Sequence, residues 1–195
     1  MVFASRAERT LSPMPEAEVQ DEASSTPVSA LVVPFSVPSP LARVRQRWDY
    51  AALTGAGPHV TILFPFVPCV ELGLPARAEL AAIARAVPAF EVRFEQVRRL
   101  PDLVWVEPEP SKPFAALTAA VVGRWPEFPP YGGAFETVIP HLTIVESDVA
   151  ALDEIERLAR RVTPFARRAQ RLELWCQDGA GRWRTRWRMP LAATP

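Results

Sequence analysis

Pro58-His59-Val60-Thr61-Ile62 and Pro140-His141-Leu142-Thr143-Ile144 are the two stretches on which the reading of this chain turns. Between them they hold both of its histidines. Each opens a short apolar run suited to a strand, along which successive side chains point to opposite faces. His59 and Thr61 therefore share one face and Val60 and Ile62 the other. His141 and Thr143 stand in the same way against Leu142 and Ile144. An i, i+2 pair lies roughly 6.5–7 Å apart along a strand, close enough for an imidazole and a hydroxyl to reach one phosphate-sized group. A single histidine on an apolar strand is more often a satisfied core residue than a catalyst. Two matched tetrads that account for every histidine reverse those odds.

The surroundings of the tetrads also repeat. Before the first, Ala30 to Val37 reads as a strand and Pro40 to Tyr50 as a helix with Leu41, Val44 and Trp48 on one face. The run Val60 to Val67 follows, then a helix over Arg77 to Val87, with Leu80, Ile83, Ala84 and Val87 at helical spacing. Phe90, Val92 and Phe94 alternate with charged residues as a half-buried strand. The second cycle runs from a strand at Leu103 to Glu107 into a helix that Ser111 caps, ending at Trp125. A strand over Val138 to Val145, a helix over Val149 to Val162 and one long strand over Phe165 to Cys176 complete it. The Asp178–Gly181 turn then predicts a hairpin with a last strand, Arg182 to Met189.

Strand, helix, histidine strand, helix, strand thus occurs twice, in approximate repeats 29–97 and 102–176, with a C-terminal hairpin to 190. The expected fold is α+β: a duplicated, two-lobed domain of mostly antiparallel sheets flanked by helices. Each lobe contributes one His-x-Thr strand to a central cleft. Residues 1–27, rich in Glu, Ser and Pro, bury too little to offset their ordering and read as a disordered tail before the domain at 28–195.

Composition narrows the function. The 22 basic and 22 acidic side chains cancel, so no global field draws the protein to nucleic acid or membrane. Any anionic ligand must be held by local groups. No run approaches the ~20 apolar residues of a membrane helix, and the N-terminus lacks a signal-peptide core. The expectation is a cytoplasmic monomer, with no protein partner indicated. Cys69 and Cys176 have no CxxC or zinc-like spacing and read as buried free thiols, one disulfide being the alternative.

The chemistry follows from the quartet. Histidine titrates near ~6.5, so one ring can be neutral while another is protonated. The neutral ring takes a proton from water or a ribose hydroxyl, and the imidazolium gives one to the leaving oxygen. Thr61 and Thr143 can donate to non-bridging phosphoryl oxygens. Neither step calls for a cofactor or metal, and no third histidine completes a zinc set. These residues predict a metal-independent phosphoesterase with His59 and His141 catalytic.

The paired tetrads resemble those of the 2H phosphoesterase superfamily, which includes the bacterial 2′-5′ RNA ligases and cyclic phosphodiesterases. Its hallmark is two H-h-[T/S]-h motifs, h being apolar, on strands of a duplicated α+β fold. The likeness covers about residues 28–190. It implies hydrolysis of a 2′,3′-cyclic phosphate, or ligation and cleavage of 2′-5′ RNA linkages, on a nucleotide or RNA end. By carry-over His59 and His141 become the acid–base pair, with either as base, and Thr61 and Thr143 the phosphate binders.

Two further features carry weight. Phe64, Phe66 and Tyr131 are candidates for stacking a base, and both phenylalanines are placed with His59 and Thr61, core packing being the competing role. The last strand reads as strict alternation, Arg182, Arg184, Arg186 and Arg188 against Trp183, Thr185, Trp187 and Met189. A solvated hairpin face suits those arginines better than an RNA track in a chain of zero net charge. Two other functions compete: a nucleotide- or RNA-binding module with little turnover, and a metal hydrolase pairing the histidines with Glu136 or Glu146.

Overall fold

Proline in the first turn starts three of the helices, at Pro40, Pro75 and Pro113, where its missing N–H costs nothing and its fixed φ suits a helix. The computed structural model describes residues 28–135 and 138–193. Its strands are β1 (Ser29–Pro34), β2 (His59–Phe66), β3 (Phe90–Leu100), β4 (Leu103–Glu109), β5 (Leu142–Glu146), β6 (Phe165–Ala169), β7 (Arg171–Gln177) and β8 (Trp183–Pro190). Its helices are α1 (Ser39–Trp48), α2 (Tyr50–Leu53), α3 (Leu74–Arg85), α4 (Lys112–Arg124) and α5 (Leu152–Val162). The tail assigned to residues 1–27 lies outside the described residues.

The strands form one sheet in the order β6-β3-β4-β5-β2-β1-β7-β8, with every neighbouring pair antiparallel. The expected separate sheets are thus joined, though barely: β2 and β5 share only the pair Val60↔Leu142. The expected long strand Phe165 to Cys176 is two strands. Gln170 alone separates β6, which pairs with β3, from β7, which pairs with β1 and β8. Strands so far apart in the sheet can be consecutive only if the sheet curls. Ala89 N–H donates to the Ala192 carbonyl at 2.8 Å, where the two ends approach.

Helices α1, α3, α4 and α5 cover one face. Leu41, Leu80, Phe114, Leu117, Val121 and Ile155 meet Leu31, Val33, Val60, Ile62, Leu142 and Ile144 in the main core. Burying each large side chain contributes about 1.5–3 kcal/mol. A second cluster of Ala30, Val32, Ala56 and Trp175 lies on the opposite face. Ser111 does not cap α4 through its side chain; its carbonyl accepts from Phe114 and Ala115 N–H instead.

Cys69 and Cys176 are bonded to each other, with Cα atoms 6.1 Å apart. This corrects the reading as free thiols in favour of the disulfide alternative. The pair is 107 residues apart in sequence, and only the folded order of β2, β1 and β7 brings the ends together.

Candidate active site

Burial alternates along both histidine strands as period two requires. Val60, Ile62, Leu142 and Ile144 are buried, whereas His59, Thr61, His141 and Thr143 are half-buried. In the antiparallel register that Val60↔Leu142 sets, His59 and Thr143 lie to one side of that pair and Thr61 and His141 to the other. Like residues occupy the diagonals of a two-by-two patch. Cross-strand neighbours in such a patch are about 4.5–5.5 Å apart at Cβ and diagonals about 7–8 Å.

The two rings are held alike. His59 Nδ1 lies 2.7 Å from the Gly57 carbonyl, and His141 Nδ1 lies 2.8 Å from the Ile139 carbonyl. A carbonyl only accepts, so Nδ1 carries the hydrogen and Nε2 holds the lone pair of each neutral ring. Each ring also meets a tryptophan edge-on. Trp175 of β7 is 4.8 Å from His59, at 68°, and Trp105 of β4 is 6.1 Å from His141, at 64°.

Burial pulls the His59 pKa down to about 4. The Gly57 carbonyl opposes that shift, while the charges of Arg45 and His141 add to it. Burial also lowers His141, against the Ile139 carbonyl and the nearby Glu107 carboxylate, both of which favour its protonated form.

Tyr131 reaches this patch from the turn Pro130–Gly133 and shares a side-chain hydrogen bond with Thr61. Burial raises its pKa, the Thr61 bond opposes this, and the Glu146 charge adds to the rise. Its ring packs edge-on against Phe135 at 5.5 Å. Tyr131 has φ +52, the only non-glycine positive φ among the described residues. That conformation costs an L-residue roughly 1–2 kcal/mol.

The two phenylalanines part company. Strict alternation carries both to the side of Val60, which the placement with His59 and Thr61 overlooked, but the register of β2 shifts twice against β1. Val32 pairs with Thr61 and Leu31 with Leu63, so Ile62 and Leu63 both face the helices, at 1% and 0% exposure. Phe64 is thereby moved to the histidine face, 6.0 Å from the Trp183 ring. The second shift, between the pairs Leu31↔Leu63 and Ser29↔Phe66, returns the strand to its first phase. Phe66 turns into the main core against Trp125 and Phe128, which corrects its placement beside the histidines. A shift between Leu174 and Trp175 likewise breaks the expected arginine stripe of β8. Arg188 pairs with Glu173, whereas Arg186 donates to the Cys69 and Leu72 carbonyls.

Sequence reasoning did not single out Arg45, Asp49 or Glu173. Arg45 and Asp49 of α1 and its C-cap are 3% and 0% exposed and form an ion pair at 2.9 Å. Arg45 donates to the Thr143 carbonyl and to the Ala56 carbonyl at 3.2 Å. Asp49 accepts from Glu146 N–H and Ala52 N–H, both at 3.0 Å. Glu173 accepts from Trp175 Nε1 at 2.7 Å and from Arg171 Nε at 2.6 Å. Burial alone would raise its pKa, but these bonds and the charges of Arg171 and Arg188 hold its carboxyl below the usual range.

Of the carboxylates considered for a metal, Glu146 is exposed and its N–H is bound to Asp49. Glu136 lies outside the described residues. Among the described residues no three His, Cys, Asp or Glu side chains gather as a metal set, and no helix is long and apolar enough to cross a membrane.

The family model of the 2′-5′ RNA ligase superfamily matches residues 33–181. The fold is similar to that of E. coli LigT in its apo form, at 15% identity and a TM-score of 0.52, over 86% of this chain and 99% of LigT. LigT complexed with 3′-AMP is similar at 14% identity and TM-score 0.52, over 86% and 99%. TT0787 of Thermus thermophilus is similar at 16% identity and TM-score 0.55, over 86% of this chain and 100% of that one. No curated protein matches the sequence.

Proposed function

Because the chain belongs to the 2′-5′ RNA ligase superfamily, the 2H phosphoesterase group its tetrads resemble, we propose that it is a metal-independent phosphoesterase acting on 2′,3′-cyclic phosphates or 2′-5′ linkages of a nucleotide or RNA end. One observation carries the reading: two imidazoles on adjacent strands, each with Nδ1 bound to the carbonyl two residues before it. That arrangement leaves Nε2 of each ring as the proton-transferring atom.

In hydrolysis of a cyclic phosphate, one neutral Nε2 takes a proton from water as the water oxygen bonds to phosphorus. The other ring, protonated, gives its proton to the departing 3′ oxygen, leaving a 2′-phosphate. In ligation the two rings exchange roles. The Thr61 and Thr143 hydroxyls donate to the non-bridging oxygens, and Tyr131 orients Thr61. Phe64 and Tyr131 border the room for a base. The half-sheets on either side of the β2–β5 seam act as the two walls of the cleft, and residues 28–190 form the catalytic unit. That LigT has been solved with 3′-AMP supports a nucleotide as ligand class.

Purified protein incubated with 2′,3′-cyclic nucleotides in EDTA, followed by phosphorus NMR, tests this. Turnover in EDTA that His59→Ala or His141→Ala abolishes is the expected result. Tight binding without turnover would identify a binding module instead, and activity lost on chelation a metal hydrolase.

A further inference from the structure

The ladder between the two histidine strands stops after one residue pair, although each strand is laddered to its outer neighbour, β1 or β4. Both ends of a buried ion pair are spent there. The Arg45 guanidinium bridges the Thr143 carbonyl in β5 and the Ala56 carbonyl, three residues before His59. The Asp49 carboxylate takes the Glu146 N–H at the far end of β5, and with its other oxygen the Ala52 N–H that starts α2.

We propose that Arg45 and Asp49 are positioning residues for the reaction, a clasp that sets the spacing of the His59 and His141 strands where their own backbone bonds do not. The inference rests on reading those histidines as the acid–base pair. Neither residue is assigned contact with substrate; α1 packs with the helices, and its polar atoms reach strand and loop backbone. A buried pair is weak evidence for stability, since two well-packed apolar side chains usually serve as well. What apolar side chains cannot do is bind a carbonyl on each of two segments at once. The forked guanidinium can, and an ammonium has no such fixed fork.

The clasp also leaves a fixed positive charge beside His59, which disfavours a second charge on that ring. The other ionisable groups around His59 are His141 just before β5, Tyr131 through Thr61, and Glu173 behind Trp175 on β7. Arg45 is the permanent cation among those acting on it.

The test compares the full chain with the double variant Arg45→Met/Asp49→Leu, which leaves no orphaned charge, and with Arg45→Lys. Readouts are kcat and KM on a 2′,3′-cyclic nucleotide, the nitrogen NMR titration of both histidines, and the Val60–Leu142 cross-strand NOE. In the double variant kcat falls about 10²-fold with KM nearly unchanged. The NOE weakens, and the His59 midpoint rises by about one unit while His141 moves less. Arg45→Lys brings the His59 midpoint back without restoring kcat, and it serves alone if the double variant does not fold. A folded variant with an unchanged NOE and an unmoved His59 midpoint overturns the clasp. If the unmodified protein shows no turnover, the enzymatic reading fails, while the NOE and the two titrations still decide the clasp.

Discussion

His59 and His141 are tied by the same bond: each Nδ1 meets the carbonyl two residues earlier, Gly57 at 2.7 Å and Ile139 at 2.8 Å. Both rings are thereby fixed in tautomer as well as orientation. On the proposed mechanism, replacing either ring removes one of the two proton-transferring groups. His59→Ala and His141→Ala should each lower kcat on a 2′,3′-cyclic nucleotide by about 10²–10⁴-fold. Variants that keep wild-type turnover would remove the histidines from the reaction.

The pH dependence should be displaced towards acid. The kcat/KM profile reports the free protein's acid and base, and burial lowers both rings, His59 to about 4 and His141 below its ordinary value near ~6.5. A bell with its maximum below pH 6.5 is expected in steady-state rates across pH 4 to 9. An optimum above pH 8 would contradict it.

Stability should weaken over the same interval. The unfolded chain protonates His59 near ~6.5 whereas the folded one resists until about 4. As pH falls through that window the unfolded state binds more protons, and stability is lost. Allowing for the ring's partial exposure, the loss is on the order of 2–3 kcal/mol. Urea melts of the unmodified protein should steepen in their decline between pH 6.5 and 4, and His59→Gln should flatten that slope.

Tyr131→Phe deletes the hydroxyl bound to Thr61 and keeps the ring against Phe135. A lost side-chain hydrogen bond of about 1 kcal/mol corresponds to roughly a fivefold fall in kcat/KM. Thr61→Val should cost at least as much, and the double variant no more than Thr61→Val alone, because the two hydroxyls act as one unit.

The Cys69–Cys176 bond closes a loop spanning 107 positions. On chain entropy such a closure stabilises by about 4–5 kcal/mol. Cys69→Ser/Cys176→Ser should lower the urea midpoint accordingly, and dithiothreitol should reproduce the shift in the unmodified protein alone.

What could be read from sequence was whatever lies in local period. His59, Thr61, His141 and Thr143 were legible because alternation with Val60, Ile62, Leu142 and Ile144 needs no knowledge of neighbours. Helices α3 and α5 announced themselves through Leu80 and Ala84, and Leu152 and Ile155, at turn spacing. Long-range partnership was not legible. Gln170 carries no mark of a corner, yet the chain changes strand partners there. Arg45 is one arginine among many, and only the approach of β5 and the Ala56 loop gives its guanidinium two carbonyls. The cysteines lacked a motif for the same reason.

The doubled inward step at Ile62–Leu63 is what releases one aromatic ring to the histidine face. Without it Phe64 would follow Val60 and Ile62 under the helices, and the room beside the histidines would lose a wall. Thr61 lies upstream of the step and keeps its place either way. The His59–Thr61 pair and the Phe64 ring are therefore written into separate stretches of a single strand. Ligand preference in chains of this shape can drift through edits downstream of Thr61 while the four polar side chains stay as they are.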